Sequence, residues 1–356
     1  MGESRRAAVI KGRGAVGAPP GRFDKTASES FDDGWTQDDD APSSETVIRW
    51  DSAKSILTEN DSPDIPSELS ANPYRGCEHG CVYCFARPSH AYLGLSPGLD
   101  FERKIFAKKD AVSLLRRELS RPQYRVRPLA LGINTDAYQP VERRLRITRG
   151  MLEVLSECRH PVSLITKSAL IERDLDVLSE MARENLADAM VSITSLDADL
   201  TRKLEPRAAS PARRLKVIAN LSAAGIRTTV LMAPIIPAIT DGEIESILSA
   251  AADAGACTAG YVVLRLPHEL PEVFQQWLAA HMPQRAAKVM SQVRAMHGGR
   301  DYDASFFSRH RGRGVFAELI ARRFDAARRR YGLNPPRHTP LRCDLFSPPS
   351  DSGRLL

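Results

Sequence analysis

The eight residues "CEHGCVYC" hold Cys77, Cys81 and Cys84, half of the six cysteines in the chain, in C-x3-C-x2-C order. Thiolates spaced this way on one loop suit metal ligation. A structural zinc ion asks for four ligands, usually from two separated pairs, and only Cys81 and Cys84 form a C-x2-C pair. His79 and His90 are the nearest candidates for a fourth. Ferredoxin clusters also take four thiolates, yet Cys158, Cys257 and Cys343 stand in no supporting motif. Three thiolates suit an iron–sulfur cubane that leaves one iron open to a substrate or cofactor. Zinc completed by a histidine is the alternative.

Such a loop needs a rigid frame, and the sequence after it alternates short β-branched runs with amphipathic segments. The runs are "LALGIN" (129–134), "VSLIT" (162–166), "AMVSIT" (189–194), "TTVLMAP" (228–234) and "GYVVLRLP" (260–267). Between them, "SPARRLKVIANLSAAG" has Ser210 as N-cap, Pro211 at the first helical position and Gly225 as its stop. In "TDGEIESILSAAADAG", Thr240 and Glu243 have the spacing of a capping box. A strand just before Cys77 brings the count to six. This recurrence predicts βα units on a parallel sheet. No G-x-G-x-x-G follows any run, which favours an α/β fold of the partial TIM-like (β/α)6 type over a dinucleotide-binding open sheet. Chemistry then belongs at the C-terminal ends of the strands. The residues there are the cysteine loop, Asn134 with Thr135 and Asp136, Lys167, Ser192 with Thr194, Pro234 and Arg265.

With 356 residues, 42% of them apolar, the chain can bury a substantial core. Its longest strongly apolar run, residues 230–239, is too short to span a bilayer and holds two prolines. The expectation is a cytoplasmic protein with reduced thiols and no membrane partner. The formal charge of +6 is uneven: residues 1–60 hold 8 Lys+Arg against 11 Asp+Glu, whereas residues 285–331 hold 12 against 4, a net +8. A segment so basic suits a polyanion such as DNA or RNA. Arg309, Arg311 and Arg313 in a Gly/Arg-rich loop, and Arg322, Arg328 and Arg329 on the helix after it, are the candidate phosphate contacts. On that helix Phe316, Ile320, Phe324 and Tyr331 share the opposite face, as in a helix docked on the core. The division expected is a largely irregular arm over 1–60, a core over 61–284 and a basic helical extension over 285–356.

The loop, with Tyr83 before its last cysteine, and the βα pattern behind it resemble the radical S-adenosylmethionine (SAM) enzymes. "NPYRGCEHGCVYCFARPSH", "LITKS", "VSITSLD" and "VLMAPIIPAITD" are similar to the spore photoproduct lyase-like, or DNA repair photolyase-like, branch over roughly residues 70–270. "KGRGAVGAPPGRFD", "HGGRDYD" and "LRCDLF" are similar to one bacterial subgroup of that branch. The resemblance implies a 4Fe-4S cluster on Cys77, Cys81 and Cys84, with SAM on the open iron. It further implies one-electron cleavage of SAM to a 5′-deoxyadenosyl radical that abstracts hydrogen, and a flavodoxin- or ferredoxin-type electron donor. Lys167 and Ser192 inherit contacts to SAM, Tyr83 a place near the adenine, and Asn134 a contact to the amino group.

Two departures stand out. Spore photoproduct lyase returns hydrogen to its product through a cysteine after the second strand, but Ile133 and its neighbours occupy that stretch, with no cysteine between Cys84 and Cys158. The Gly-Gly-Glu signature after that strand is replaced by Asn134, Thr135 and Asp136. The function expected is radical SAM chemistry on a nucleic acid or nucleotide. The rivals are radical chemistry on a small molecule, and a nucleic-acid-binding protein whose cluster is structural or redox-sensing.

Overall fold

The computed structural model describes residues 9–24, 45–65, 67–334 and 340–349. The stretch 25–44, which holds most of the acidic part of the expected arm, lies outside them. In chain order the strands are β1 (Val47–Asp51), β2 (Leu57–Glu59), β3 (Leu69–Ala71), β4 (Tyr74–Arg75), β5 (Lys104–Lys108), β6 (Leu129–Leu131), β7 (Val162–Thr166), β8 (Ala187–Ser192), β9 (Arg227–Ile235) and β10 (Thr258–Val263).

Seven strands form one sheet in the order β10-β9-β8-β7-β6-β3-β2. Six of them, β3 and β6 through β10, run parallel, while β2 is antiparallel to β3. β6 to β10 fall on the five runs the sequence pattern marks, whereas the strand expected just before Cys77 is divided between β3, which joins this sheet, and β4, which does not. The sheet does not close, so β2 and β10 are its free edges. Leu129, Leu131, Val162, Leu164, Ala189, Val191, Val230, Met232 and Val263 are buried from it into one continuous core. Helix Pro211–Ala223 begins as expected, with Ser210 Oγ accepting the Arg213 N–H at 3.4 Å, and Gly225 follows its end in a left-handed conformation at φ 77°.

The Thr240/Glu243 capping box does not form. A 3-10 turn over Asp241–Glu243 delays the helix to Ile244. Thr240 Oγ1 instead accepts the Ile236 N–H at 2.9 Å, and the Glu243 carboxylate reaches Ser195 Oγ at 2.6 Å and the Leu196 N–H at 2.7 Å. It ties the end of β8 to the end of β9.

A second sheet, β1-β5-β4, pins the cysteine loop from the side. β4 ends two residues before Cys77 and pairs antiparallel with β5, which pairs parallel with β1. The Cys77 N–H donates to the Phe101 carbonyl at 3.0 Å.

The C-terminal residues bridge the open side of the main sheet. The Arg311 guanidinium lies 4.0 Å from the ring centroid of Tyr261 on β10, while Arg309 donates twice to Asp64 in the β2–β3 connection. Helix Val315–Arg330 buries Ala317, Ile320, Phe324 and Ala327, with the Phe324 ring 4.5 Å from that of Tyr261. Phe316, expected on that face, is exposed together with Val315, because the first helical turn meets no covering element among the described residues. None of the described helices is long and apolar enough to cross a membrane.

Candidate cluster and cofactor site

The cysteine loop folds as two successive turns. Gly80 N–H donates to the Cys77 carbonyl at 3.3 Å and Cys84 N–H to the Cys81 carbonyl at 3.2 Å. Gly80 turns at φ 69°, and a Cβ there would lie 2.7 Å from Glu102 Oε2, so glycine is required on both counts. All three thiols are free; Cys77 and Cys81 are buried and Cys84 is half-buried. Cys84 packs against both the group of Cys77, Ala86 and Phe101 and the group of Cys81, Val82 and Tyr83, so the three thiols share one neighbourhood. Burial, then the charge of Asp136, pushes the Cys77 thiol well up; burial, then Glu205, pushes Cys81 up to about 12. Left alone, these would stay protonated thiols, and a metal that displaces the proton is the usual means of ionising them.

The donor set fits an iron–sulfur cluster better than zinc. Among the described residues, no group of three or more His, Cys, Asp or Glu side chains converges as one metal ion requires. Both histidines proposed as a fourth zinc ligand are used elsewhere. His79 Nδ1 lies 3.3 Å from Asp136 Oδ2, and His90 is a core side chain with Nε2 3.0 Å from the Lys104 carbonyl and its ring against Phe101. Three soft thiolates with no fourth protein ligand among the described residues suit a cubane with one open iron.

Asp136 links this loop to the strand ends. Its Oδ2 accepts the Lys167 N–H at 2.7 Å, and its Oδ1 accepts Thr166 Oγ1 and the Tyr138 N–H, both at 2.8 Å. Burial alone would raise its carboxyl, but His79 and these donors outweigh it and the group is held low. Gln139, buried beside it, donates to the Gly76 carbonyl at 3.1 Å and accepts the Glu78 N–H at 2.9 Å, bracketing Cys77. Nothing in the sequence marks this glutamine, since a lone Gln in a loop has no periodic or motif signal.

Lys167 directly follows β7, and Ser192 ends the adjacent strand β8. The Lys167 ammonium lies 5.9 Å from the Tyr83 ring centroid and makes no side-chain hydrogen bond among the described residues. The Ser192 hydroxyl likewise has no partner there, although its carbonyl accepts Arg214 Nη1 at 3.0 Å. Asn134 is exposed, and its N–H donates to Asn72 Oδ1 at 3.0 Å.

Tyr83 is held by its hydroxyl. Its hydroxyl donates to the Glu205 carboxylate and lies 3.1 Å from Thr194 Oγ1, which itself donates to Glu205 at 2.7 Å. Arg214 completes the network as an ion pair with Glu205, both fully buried. Burial opposes ionisation of Glu205, but Arg214 and then Lys167 hold its carboxyl down at about 2. The network fixes the last turn of the cysteine loop against β8.

The arginines divide. Arg309 is committed to Asp64, and Arg328 pairs with Asp325 at 3.4 Å. Arg311, Arg313, Arg322 and Arg329 are exposed, Arg322 only 3.9 Å from Glu318 and Arg313 3.9 Å from Asp303. Arg265 lies inward, its guanidinium 4.1 Å from the ring centroid of Phe85, the residue after Cys84.

This chain matches the family model described as the radical SAM superfamily over residues 71–251, just over half its length. An uncharacterized protein of Mycobacterium tuberculosis is 37% identical over 226 residues, covering 63% of this chain and 66% of that protein, a little under two thirds of its length. An uncharacterized protein of Methanocaldococcus jannaschii is 25% identical over 172 residues, covering 48% of this chain and 62% of that protein. In fold, the chain is similar to spore photoproduct lyase complexed with dinucleoside spore photoproduct, with a TM-score of 0.56 at 14% identity over 80% of this chain and 79% of that one. A mutant of that lyase with bound AdoMet and dinucleoside spore photoproduct gives 0.53 at 15% identity, over 80% and 78%. The loop, the parallel half-barrel behind it and the family match agree: the chain belongs to the radical SAM superfamily.

Proposed function

We propose that this enzyme acts on a nucleic acid or nucleotide-like substrate, with Cys77, Cys81 and Cys84 holding a 4Fe-4S cluster and Lys167, Ser192 and Asn134 positioning SAM. When bound and reduced, that cluster supplies the electron that cleaves SAM to a hydrogen-abstracting radical. The chain's own residues bind and orient. The Lys167 ammonium, without a hydrogen-bonding partner among the described residues, suits the methionine carboxylate, and the Ser192 hydroxyl on the next strand suits the carboxylate or ribose. Asp136 and Gln139 hold the loop in register with Lys167. The Tyr83–Glu205–Arg214 network keeps the loop's last turn rigid and dry. An acidic flavodoxin- or ferredoxin-type protein is the expected electron source.

The observation that carries the substrate class is the net +8 over residues 285–331, with Arg311, Arg313, Arg322 and Arg329 exposed. That a lyase similar in fold is complexed with a dinucleoside spore photoproduct supports the same class. Thiol-mediated hydrogen return is not part of the proposal, because the stretch 132–139 after β6 holds no cysteine and Cys158 is packed in the core. Filter binding to duplex and single-stranded DNA and RNA over a salt series tests the reading, and affinity that is absent or insensitive to salt overturns it. A second reading, radical chemistry on a small molecule, is favoured by the bridging of the sheet's open side through Arg309 and Asp64. It requires 5′-deoxyadenosine formation without salt-dependent polyanion binding. If the cluster is only structural or redox-sensing, no 5′-deoxyadenosine follows reduction in the presence of SAM.

A further inference from the structure

Residues 13–17 form neither helix nor strand, yet Arg13, Gly14, Ala15 and Val16 are buried. What they lie on is the cysteine loop. A Cβ on Gly14 would stand 1.8 Å from the Gly80 carbonyl oxygen and 3.3 Å from the Val82 nitrogen. Only a glycine lets the two backbones approach so closely. Ala15 packs in the same apolar group as Cys81, Val82 and Tyr83.

One carboxylate joins the two segments. Glu102, fully buried, accepts the Ala15 N–H at 2.8 Å on Oε1 and the Gly14 N–H at 2.9 Å on Oε2, and its carbonyl accepts Arg13 Nη1 at 2.8 Å. Its Oε1 also accepts Arg87 Nη2 at 2.5 Å. Arg87 in turn donates to the Gly80 carbonyl at 3.0 Å and the Cys81 carbonyl at 2.8 Å. Farther along, the Gly17 carbonyl accepts the Leu99 N–H at 3.2 Å. A buried carboxylate that accepts donors from both segments fixes their separation, since losing either set leaves charge unpaired in the interior.

We propose that the segment 13–17 is a wall of the cluster site on its Cys81 side, held there by Glu102 as a positioning residue, and that it keeps water and dioxygen from the cluster. The inference rests on membership in the superfamily and is independent of the substrate. Its physical content is solvent exposure. Reduction adds negative charge to a site already bearing three thiolates, water stabilises that charge, and a drier site therefore has a lower potential. Opening the wall raises the potential and speeds oxidative loss of the cluster. A merely structural role for the segment would change the melting temperature and leave the potential where it was.

The test uses the full chain reconstituted anaerobically with iron and sulfide. Gly14→Val, which cannot keep the approach to Gly80, and Glu102→Gln are compared with wild type and with Lys11→Ala, an exposed position just before the wall. The readouts are iron content, the midpoint potential from a redox titration followed by electron paramagnetic resonance, and the bleaching rate of cluster absorbance in air. The expected result is a higher potential and several-fold faster bleaching in Gly14→Val and Glu102→Gln, with Lys11→Ala unchanged. Unaltered potential and bleaching in folded variants overturn the proposal. Hydrogen exchange on the wild-type holoprotein needs no variant. The Gly14 and Ala15 amides should be protected together with those of residues 80–82 and lose protection with them when iron is chelated. Fast exchange at residues 13–17 beside a protected loop refutes the wall.

Discussion

Arg309 places Nε and Nη2 on the two carboxylate oxygens of Asp64, at 2.8 and 2.5 Å, and so ties the C-terminal segment beside β10 to the connection that leads into β3. The Phe307 N–H donates to the same carboxylate at 3.0 Å, and His310 Nδ1 lies 3.4 Å away. Burial favours the neutral acid, but Arg309 and the Phe307 N–H outweigh it and hold Asp64 below the usual carboxylate range.

Arg309→Ala is expected to cost on the order of 1–2 kcal/mol, between the worth of a surface pair and that of a buried one. Urea unfolding of the pair of single variants and the double variant measures it. A double-mutant coupling near zero would deny that the pair closes the seam.

Glu205→Gln should cost much more, about 3–5 kcal/mol, because it strands Arg214 in the interior. The depressed pKa gives the sign of the pH effect. Glu205 adds stability that is fully present above its unfolded value of about 4.3 and lost as pH falls toward its folded value of about 2. Acid unfolding between those limits should be shallower in the variant, and equal slopes would contradict the assignment.

Lys167→Ala, measured by equilibrium binding of SAM to the reconstituted protein, is expected to weaken affinity by roughly 10- to 100-fold, the worth of one charge-assisted hydrogen bond. Iron content should not change, as Lys167 is no cluster ligand. Unchanged affinity would remove it from the site.

The exposed arginines separate from the committed ones by salt dependence. Replacing Arg311, Arg313, Arg322 or Arg329 by glutamine should each lower the log–log salt slope of nucleic-acid binding by about 1 if the residue meets a phosphate. Arg309, held by Asp64, should behave differently: its loss shows in stability. If all four give the same slope as wild type, the basic segment is not the contact surface.

Anaerobic reconstitution, dithionite and SAM should yield 5′-deoxyadenosine from wild type and from Cys158→Ala, whose thiol sits in the core, but not from Cys77→Ala, Cys81→Ala or Cys84→Ala. Activity surviving any one of the loop substitutions would overturn the ligand set.

The parallel strands were legible in the sequence because their signal is local. A run such as "VSLIT" announces itself by its β-branched residues and its spacing from the next run, and it appears as β7 over the same residues. The cysteine spacing is local too. What could not be read were pairings set by the fold. Glu102, Arg87, Glu205 and Arg214 look like ordinary charges along the chain, and only burial makes each pair a fixture of the loop. Arg309 had a basic neighbourhood in sequence and an acidic partner in space. Glu243 kept the spacing of a capping box but found better donors at the end of β8 than in its own helix.

Asp64 and Arg309 are 245 residues apart in the chain. At synthesis rates of about 5–20 residues per second, roughly 12–50 s pass between the emergence of the first and of the second. During that interval the cysteine loop and every strand of the half-barrel have left the ribosome while the seam still lacks its fastening. The order of synthesis therefore makes the Arg309–Asp64 contact a late fastening, available only after every strand of the main sheet has emerged.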